Sequence, residues 1–337
     1  MATFAEVVRT LNASLQPRGY RLVPTSTSVV FDSLKFGTPI FAIPDVHLCD
    51  GQGGDIFWHG RPDKPRRLAA VLQAIFDYQS QHPMSSRAVQ LGDWFDLWRL
   101  TGTDPRQMNY GAIQNVDPYR EILELDARIG LAHLIGNHDA GFLDSLPDRR
   151  VAQPQLFRLG FWLGANVYAL HGHQTDLVPP IGNPANETVL HLATVMARFV
   201  PGTIQFEAYL DRMGILPGLG RWLLDTLSRV RDDPGPQPRS PDPRGAPPGV
   251  RRGSFSHREH LDQLLRIAHQ VGLLPESHGR SAEVVIVGHS HSPCAAWSDV
   301  TGKPVVLIDA GAWVYDQANL LVAAQDTLTV FDVTASN

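Results

Sequence analysis

Residues 39–47, PIFAIPDVH, join an apolar run of strand length to an aspartate and a histidine, Asp45 and His47. Short apolar runs bounded by turn residues are typical of strands buried on both faces. Four further runs end in the same kinds of side chain: residues 88–91 lead to Asp93 and Asp96, 131–135 to Asn137, His138 and Asp139, 167–170 to His171 and His173, and 284–287 to His289 and His291. Because ligands bind beyond the carboxyl ends of strands in open α/β sheets, we expect these five clusters to converge in space.

The segments between these runs have the apolar spacing of helices. Apolar residues recur every three or four positions over 64–81 and 117–129, and a further helix is predicted over 2–16. Asp117 and Pro118 are expected as the N-cap and first-turn residues of the second of these helices. Residues 305–308 form another apolar run of strand length. Strands alternating with helices predict an α/β fold with a parallel or mixed central sheet.

The pattern changes between residues 179 and 279. Amphipathic helices are predicted over 188–200, 204–213, 219–230 and 257–271, whereas residues 232–253 are rich in Pro, Gly and Arg and are typical of a flexible linker. We therefore expect an N-terminal extension at 1–35, a core formed by 36–178 and 280–335, and an inserted helical cap at 179–279.

Composition limits the kinds of site this chain can build. The 337 residues include 14 His and only 2 Cys, which excludes a disulfide framework and a Cys-only zinc cluster. A net charge of −5 gives no general electrostatic reason to bind nucleic acid or an anionic membrane. No N-terminal targeting run is evident, and nothing approaches the roughly 20 continuous apolar residues that span a bilayer. We expect a cytoplasmic enzyme.

The strand-end residues offer a mixed set of oxygen and nitrogen ligands. The candidates are the carboxylates of Asp45 and Asp93, the amide oxygen of Asn137, and the imidazoles of His47, His171, His289 and His291. This set is larger than one tetrahedral zinc ion needs, and it suits two five- or six-coordinate divalent ions bridged by a carboxylate. Mn²⁺ is the favoured ion, with Fe²⁺, Zn²⁺ and Mg²⁺ as alternatives. Two such ions would clamp a phosphoryl group between them.

Taken in order, these clusters resemble a known signature. Asp45-x-His47, Gly92-Asp93-x-x-Asp96, Gly136-Asn137-His138-Asp139, His171 and Gly288-His289-x-His291 look like the motifs of the calcineurin-like metallophosphoesterases, and Asp309 to Trp313 resembles that family's closing turn. The resemblance implies an αββα sandwich of two mixed sheets flanked by helices, with the helical cap as an insertion. It also implies hydrolysis of a small phosphorylated substrate by in-line attack of a metal-bridging hydroxide.

The resemblance also implies a role for each residue. One ion would be held by Asp45, His47 and His291, the other by Asn137, His171 and His289, and Asp93 would bridge them. His138 would act as general acid or phosphate donor, and Asp96 would hold the His138 imidazole in the right tautomer and keep it protonated. Asp139 would brace its loop. His173 and Trp94 would either contact the substrate or serve as an ordinary surface imidazole and a core side chain.

Departures from the sequence patterns of related families limit the choice of substrate class only in part. Leu97 follows Asp96 where phosphoprotein phosphatases carry Arg, which disfavours a protein substrate. The stretch from 92 to 98 and the insert resemble UDP-diacylglucosamine pyrophosphohydrolases, but His138 stands where those enzymes have Arg and His173 where they have Asp.

Three functions therefore stay open. The first is a phosphoesterase acting on a small phosphomonoester, phosphodiester or pyrophosphate. The second is a nucleotide-sugar or lipid-linked pyrophosphatase whose cap holds an apolar group and contacts a membrane peripherally. The third is a non-catalytic scaffold, which the complete set of ligand residues disfavours.

Overall fold

The computed structural model describes residues 2–51, 55–58, 61–83, 86–96, 113–136, 138–139, 157–158, 160–164, 166–172, 247–255, 281–299 and 303–336. The described strands are β1 (Tyr20–Phe31), β2 (Phe36–Ile43), β3 (Arg87–Gln90), β4 (Ala132–Leu134), β5 (Phe157–Arg158), β6 (Gly160–Trp162), β7 (Val167–Leu170), β8 (Val250–Gly253), β9 (Val284–Val287), β10 (Cys294–Ser298), β11 (Val305–Asp309), β12 (Asn319–Gln325) and β13 (Thr327–Ala335). The described helices are α1 (Phe4–Leu15), α2 (Lys64–Gln81) and α3 (Asp117–Ile129), and a 3₁₀ turn at Gln16–Arg18 follows α1.

The strands form two mixed sheets. The larger has eight strands in the order β5-β4-β3-β2-β12-β13-β1-β8, and the smaller has five in the order β10-β11-β9-β7-β6. β2, β3, β4 and β5 run parallel to one another, as do β7, β9 and β11, and the remaining neighbours are antiparallel. The predicted α/β class with mixed sheets is confirmed.

Alternate residues in the second half of β2 enter two different cores, which explains why residues 39–43 are apolar throughout. Ile40 and Ala42 lie in a buried cluster with Ile286 of the smaller sheet, so the two sheets share an interior. Phe41 and Ile43 lie in a second cluster with the apolar faces of α1, α2 and α3. Successive strand side chains point to opposite faces, so a strand covered on both sides has no polar face to show in its sequence.

The three described helices therefore cover the outer face of the larger sheet. α1 starts with a capping box, in which Thr3 and Glu6 accept each other's backbone N–H groups. α2 and α3 have the predicted bounds. The N-cap of α3 is Val116, however, so Asp117 is its first helical residue and not its cap. At that position the carboxylate of Asp117 interacts favourably with the positive end of the helix dipole. No helix among the described residues is long and apolar enough to cross a membrane.

Five described strands of the larger sheet, β1, β5, β8, β12 and β13, were not predicted, nor were β6 and β10 of the smaller sheet. β1 lies between β13 and β8, so residues 20–31, assigned to an N-terminal extension, supply a strand of this sheet. β8 occupies 250–253, the end of the segment predicted as a linker, and pairs with β1 from Val29 opposite Gly253; that part of the linker prediction is wrong. The predicted helices at 188–200, 204–213, 219–230 and 257–271 lie outside the described residues.

Candidate metal centre

The carboxyl ends of the parallel strands of both sheets bring six predicted ligands together. Potential ligand atoms lie within 4.8 Å of one another in each of three groups: Asp45, Asp93, His171 and His289; Asp45, His47 and His291; and His47, Asp96 and His138. Most of these residues are buried, and His138, His289 and His291 are partly exposed. Five separate loops, distant in sequence, thus meet in one cluster of imidazoles and carboxylates.

Backbone hydrogen bonds hold the loops in register with one another. The N–H groups of Val46 and His47 both donate to the carbonyl oxygen of Asp93, at 3.0 and 2.8 Å. On the other side, the N–H of Trp313 donates to the carbonyl oxygen of Asp45 at 2.7 Å, and Ala312 forms a parallel bridge with Asp45. The segment that carries Asp45 and His47 is therefore fixed between two neighbouring loops.

Three of the ligand candidates have left-handed backbones. Among the described residues, five other than glycine have positive φ, and His47 (61°), Asp93 (51°) and His291 (54°) are three of them. This region costs an L-residue about 1–2 kcal/mol, so it persists only where the surroundings enforce it. Each such turn comes directly after a strand and redirects a ligand side chain into the cluster.

Two glycines leave the space that the ligands occupy. A Cβ on Gly136 would lie 1.9 Å from Oδ1 of Asp93 and 2.3 Å from the backbone nitrogen of Asp93. A Cβ on Gly92, whose φ is +106°, would lie 2.4 Å from Nδ1 of His171. Real Cβ contacts are essentially never below 3.0 Å. A glycine before the aspartate or the Asn-His pair was visible in the sequence, but its steric reason was not.

The group of Asp45, His47 and His291 joins one carboxylate to two histidines. Nε2 of His291 lies 3.1 Å from Oδ2 of Asp45. Oδ1 of Asp45 and both ring nitrogens of His47 are buried and make no hydrogen bond with the described residues. Buried polar atoms are almost always hydrogen-bonded or bound to a metal, because the loss of hydration otherwise costs several kcal/mol.

The group of Asp45, Asp93, His171 and His289 is built around His171, whose tautomer the structure fixes. Nδ1 of His171 lies 2.9 Å from the carbonyl oxygen of Leu91, an acceptor, so Nδ1 carries the proton and Nε2 presents its lone pair. That lone pair points toward Nδ1 of His289, 3.1 Å away, and toward Oδ2 of Asp93, 3.5 Å away. A ring held through one nitrogen, with the lone pair of the other directed at neighbouring ligand residues, is typical of metal-ligating histidines.

Asp93 lies between the two groups. Its Oδ2 is 3.5 Å from Nε2 of His171 and also 3.5 Å from Nε2 of His47. Its Oδ1 accepts the backbone N–H of His138 at 2.8 Å. Asp45 belongs to both groups as well, so two carboxylates, not one, lie between the pairs of imidazoles. That Asp93 bridges two ions stays a prediction.

The donor set fits divalent ions. Ligand bonds of about 2.0–2.2 Å place neighbouring ligand atoms about 3.0–3.5 Å apart in tetrahedral or octahedral coordination. Four of the separations, from 3.1 to 3.5 Å, match that range, and the ligand atoms of each group all lie within 4.8 Å of one another. Mixed carboxylate and imidazole ligands suit Mn²⁺, Fe²⁺ or Zn²⁺. The buried His/Asp groups could thus hold metal ions, whose number and identity are open.

The charges of the cluster are unbalanced without a cation. Burial and the nearby carboxylates of Asp93, Asp309 and Asp139 raise the pKa of Asp45 well above its ordinary value. Burial acts in the same direction on Asp93, but the imidazoles around it, that of His171 above all, hold the pKa of Asp93 well below its ordinary value. Asp93 is therefore the ionised member of the pair, and a cation would allow Asp45 to ionise too.

Two of the histidines are neutral near neutral pH. Burial lowers the pKa of His47, and burial together with neighbouring His47 and His289 lowers the pKa of His291 well below its ordinary value. A histidine binds a metal only through an unprotonated nitrogen, so the same burial that disfavours the charged ring keeps it ready to coordinate.

His138 and Asp96 form a pair beside the cluster. Nδ1 of His138 lies 2.8 Å from Oδ1 of the fully buried Asp96, and the ring edge of His138 meets the ring of His47 at a centroid distance of 4.6 Å. Because the carboxylate accepts from Nδ1, the ring of His138 is oriented by Asp96. The His138 side chain is 14% exposed, so a bound molecule can reach it.

Two further carboxylates hold the ligand loops and carry no ligand role. Asp139 accepts the N–H groups of Trp94, Phe95 and Gly136, at 3.2, 2.9 and 3.2 Å, and so joins the loop after β4 to the loop after β3. Asp309 accepts from Oγ of Ser290 at 2.6 Å, which fixes the turn between His289 and His291. Burial raises the pKa of Asp309 to about 6.

Three predicted residues are not placed in the cluster. Asn137 and His173 lie outside the described residues. Trp94 is fully buried in the core beneath the helices, where its ring meets His133 at 5.4 Å, so it packs as a core side chain.

Sequence reasoning missed the buried ammonium of Lys64. Its Nζ donates to the carbonyl oxygen of Trp313 at 2.6 Å and so fixes the segment that abuts Asp45. A lysine in the first turn of an otherwise apolar helix face was the only signal for it.

No known protein-family model matches this chain, and no curated protein matches it significantly.

Proposed function

We propose that this protein is a dinuclear metal-dependent phosphoesterase that hydrolyses a small phosphomonoester, phosphodiester or pyrophosphate. The observation that carries the proposal is the convergence of buried imidazoles and carboxylates into two overlapping groups, with the His138–Asp96 pair beside them. Two divalent ions, when bound there, would supply the Lewis acidity that activates water and neutralises phosphoryl oxygens.

The chain's own residues would orient the reaction. Asp96 accepts the Nδ1 proton of His138 at 2.8 Å, which leaves Nε2 as the atom that donates to the leaving-group oxygen. The backbone N–H of His138 is tied to Oδ1 of Asp93, so this donor is held at a fixed distance from the candidate bridging carboxylate. Such preorganised donors stabilise charge that develops in the transition state.

The test removes the central carboxylate. Asp93→Asn should lose bound metal and hydrolysis together, because a neutral amide cannot offset the charge of two ions. Metal content is measured by elemental analysis of the purified protein. Hydrolysis is measured with Mn²⁺ on aryl phosphomonoesters, aryl phosphodiesters, UDP-sugars and cyclic nucleotides.

The matched control is Asp117→Asn, at a side chain 89% exposed in the first turn of α3, which should retain both properties. An Asp93→Asn protein with full metal content and full activity would refute the proposed role, and a metal-free, inactive wild type would refute the proposed function.

A further inference from the structure

The carboxylate of Asp96 faces two imidazoles, one with each oxygen. Oδ1 lies 2.8 Å from Nδ1 of His138, and Oδ2 lies 3.6 Å from Nδ1 of His47. Asp96 is fully buried, and His47 is 2% exposed. The pairing with His138 is part of the proposed function above, whereas the approach to His47 has no role in it.

The ring of His47 is otherwise without hydrogen bonds. Neither of its nitrogens is hydrogen-bonded to a described residue. Its two nitrogens point in opposite directions, Nε2 toward Oδ2 of Asp93 at 3.5 Å and Nδ1 toward Asp96. One nitrogen of a neutral imidazole carries a proton, and a buried N–H without an acceptor is costly.

Backbone pairing holds Asp96 opposite His47. The N–H of Leu48 donates to the carbonyl oxygen of Trp94 at 2.9 Å, and the N–H of Asp96 donates to the carbonyl oxygen of Leu48 at 2.8 Å. Leu48 and Phe95 form the parallel bridge between these bonds. The short ladder fixes the register of the two loops, so the position of Asp96 next to His47 does not depend on side-chain flexibility.

Metal-ligating histidines generally donate their second N–H to a carboxylate or a carbonyl, which sets the tautomer and the ring orientation. His171 already shows this arrangement through Leu91. We infer that Asp96 is a positioning residue for the metal ligand His47 as well as for His138. It would hold His47 with the proton on Nδ1 and the lone pair on Nε2. The inference rests on the proposed metal centre, and it makes one carboxylate couple metal binding to the proton donor.

The experiment compares Asp96→Asn with His138→Ala. Both variants break the His138–Asp96 pair, but only the first removes the carboxylate from His47. In chelator-stripped protein titrated with Mn²⁺ by calorimetry, Asp96→Asn should weaken affinity by about 10–100-fold, the usual effect of removing such a partner. His138→Ala should stay within about twofold of the wild type, because its ring makes no ligand bond. Equal affinities for all three proteins would overturn the inference.

A second measurement does not require Asp96→Asn to fold. In wild-type protein loaded with diamagnetic Zn²⁺, nitrogen-15 NMR of the histidine rings should show His47 protonated at Nδ1 and bound through Nε2. The signal is assigned by its disappearance in His47→Gln. A His47 ring protonated at Nε2 would overturn the inference.

Failure of this inference is distinguishable from failure of the proposed function. If the wild type binds Mn²⁺ and hydrolyses aryl phosphates while Asp96→Asn binds Mn²⁺ with unchanged affinity, only the positioning role is refuted. A wild type that binds Mn²⁺ and weakens as expected in Asp96→Asn, yet hydrolyses no phosphoester, would support the positioning role and sink the proposed reaction.

Discussion

Adding one methyl group at Gly136 should disable the candidate metal centre. The Cβ of Gly136→Ala would lie 1.9 Å from Oδ1 and 2.3 Å from the backbone nitrogen of Asp93. A rotamer change of Asp93 cannot relieve the second contact, because that atom belongs to the main chain. Either the loop after β4 or the left-handed turn at Asp93 must therefore move by about 1 Å to reach ordinary contact distance.

The cost of this movement can be bounded. Forcing an extra methyl into a packed site costs about 1–3 kcal/mol. The displacement also endangers the 2.8 Å bond from the N–H of His138 to Asp93, and bonds to charged groups contribute about 1.5–3 kcal/mol. The total is about 2.5–6 kcal/mol. If it falls on metal binding, affinity drops by more than about tenfold, since about 1.4 kcal/mol corresponds to that factor.

Two measurements separate a loss of folding stability from a loss of metal affinity. Urea unfolding of chelator-treated protein reports the free energy of unfolding, and Mn²⁺ titration reports affinity. The matched control is Gly37→Ala in β2, where a Cβ meets nothing within 4 Å. We expect Gly136→Ala to lose at least about 2 kcal/mol across the two measurements and the control to lose almost none. Gly136→Ala indistinguishable from Gly37→Ala in both would refute this steric account of the glycine.

Two further predictions concern the donor and the buried cation. His138→Ala should keep its metal but lower turnover of an aryl phosphate by about 10²–10⁴-fold, as removal of a general acid does, with His82→Ala at the end of α2 as the control; unchanged turnover would exclude the donor role. Burial lowers the pKa of Lys64 from 10.5 to about 7, so the unfolded chain binds that proton more tightly than the folded protein between these values. Stability should thus rise with pH across this window, by at most about 3 kcal/mol between about pH 7 and pH 9.5, and Lys64→Met should remove that rise in urea unfolding. Equal pH slopes for the two proteins would contradict the prediction.

The candidate site was predictable because its signals are local. Each cluster follows a short apolar run directly, and a strand buried on both faces, such as β2, is continuous in apolar residues whatever its partners are. Because parallel strands all end at the same edge of a sheet, the clusters are expected at that edge even when the contacts between them are unknown. Residues 64–81 and 117–129 were predictable for a similar reason, since one face of each helix is buried and the other is not.

Two of the missed strands, β1 and β8, depend on distant partners, whereas the missed strands β12 and β13 pair locally with each other. β1 carries Thr25, Ser26, Thr27 and Ser28 in its middle, a composition typical of a loop, and its antiparallel partner β13 lies about 300 residues later. Its register shifts between Pro24 and Ser28, where the proline is accommodated at an irregularity in the ladder. β8 is a four-residue edge strand within a Pro- and Gly-rich segment, and only its pairing with β1 defines it. Non-local pairing leaves no periodic signal in such short, polar runs.

Three separate energetic costs meet at the candidate metal centre. Left-handed backbones at His47, Asp93 and His291 each cost about 1–2 kcal/mol. Oδ1 of Asp45 and the ring of His47 are buried without hydrogen bonds among the described residues. Burial and the carboxylates around Asp45 both oppose its ionisation and raise its pKa.

Packing does not explain these costs, because apolar residues at the same positions would avoid the second and the third. A divalent ion would offset both directly: it would bond to the orphaned oxygen and nitrogen, and its charge would balance the carboxylates. The strain in the turns would then follow as the cost of aiming those atoms at one point, so the proposed cation binding would account for all three observations.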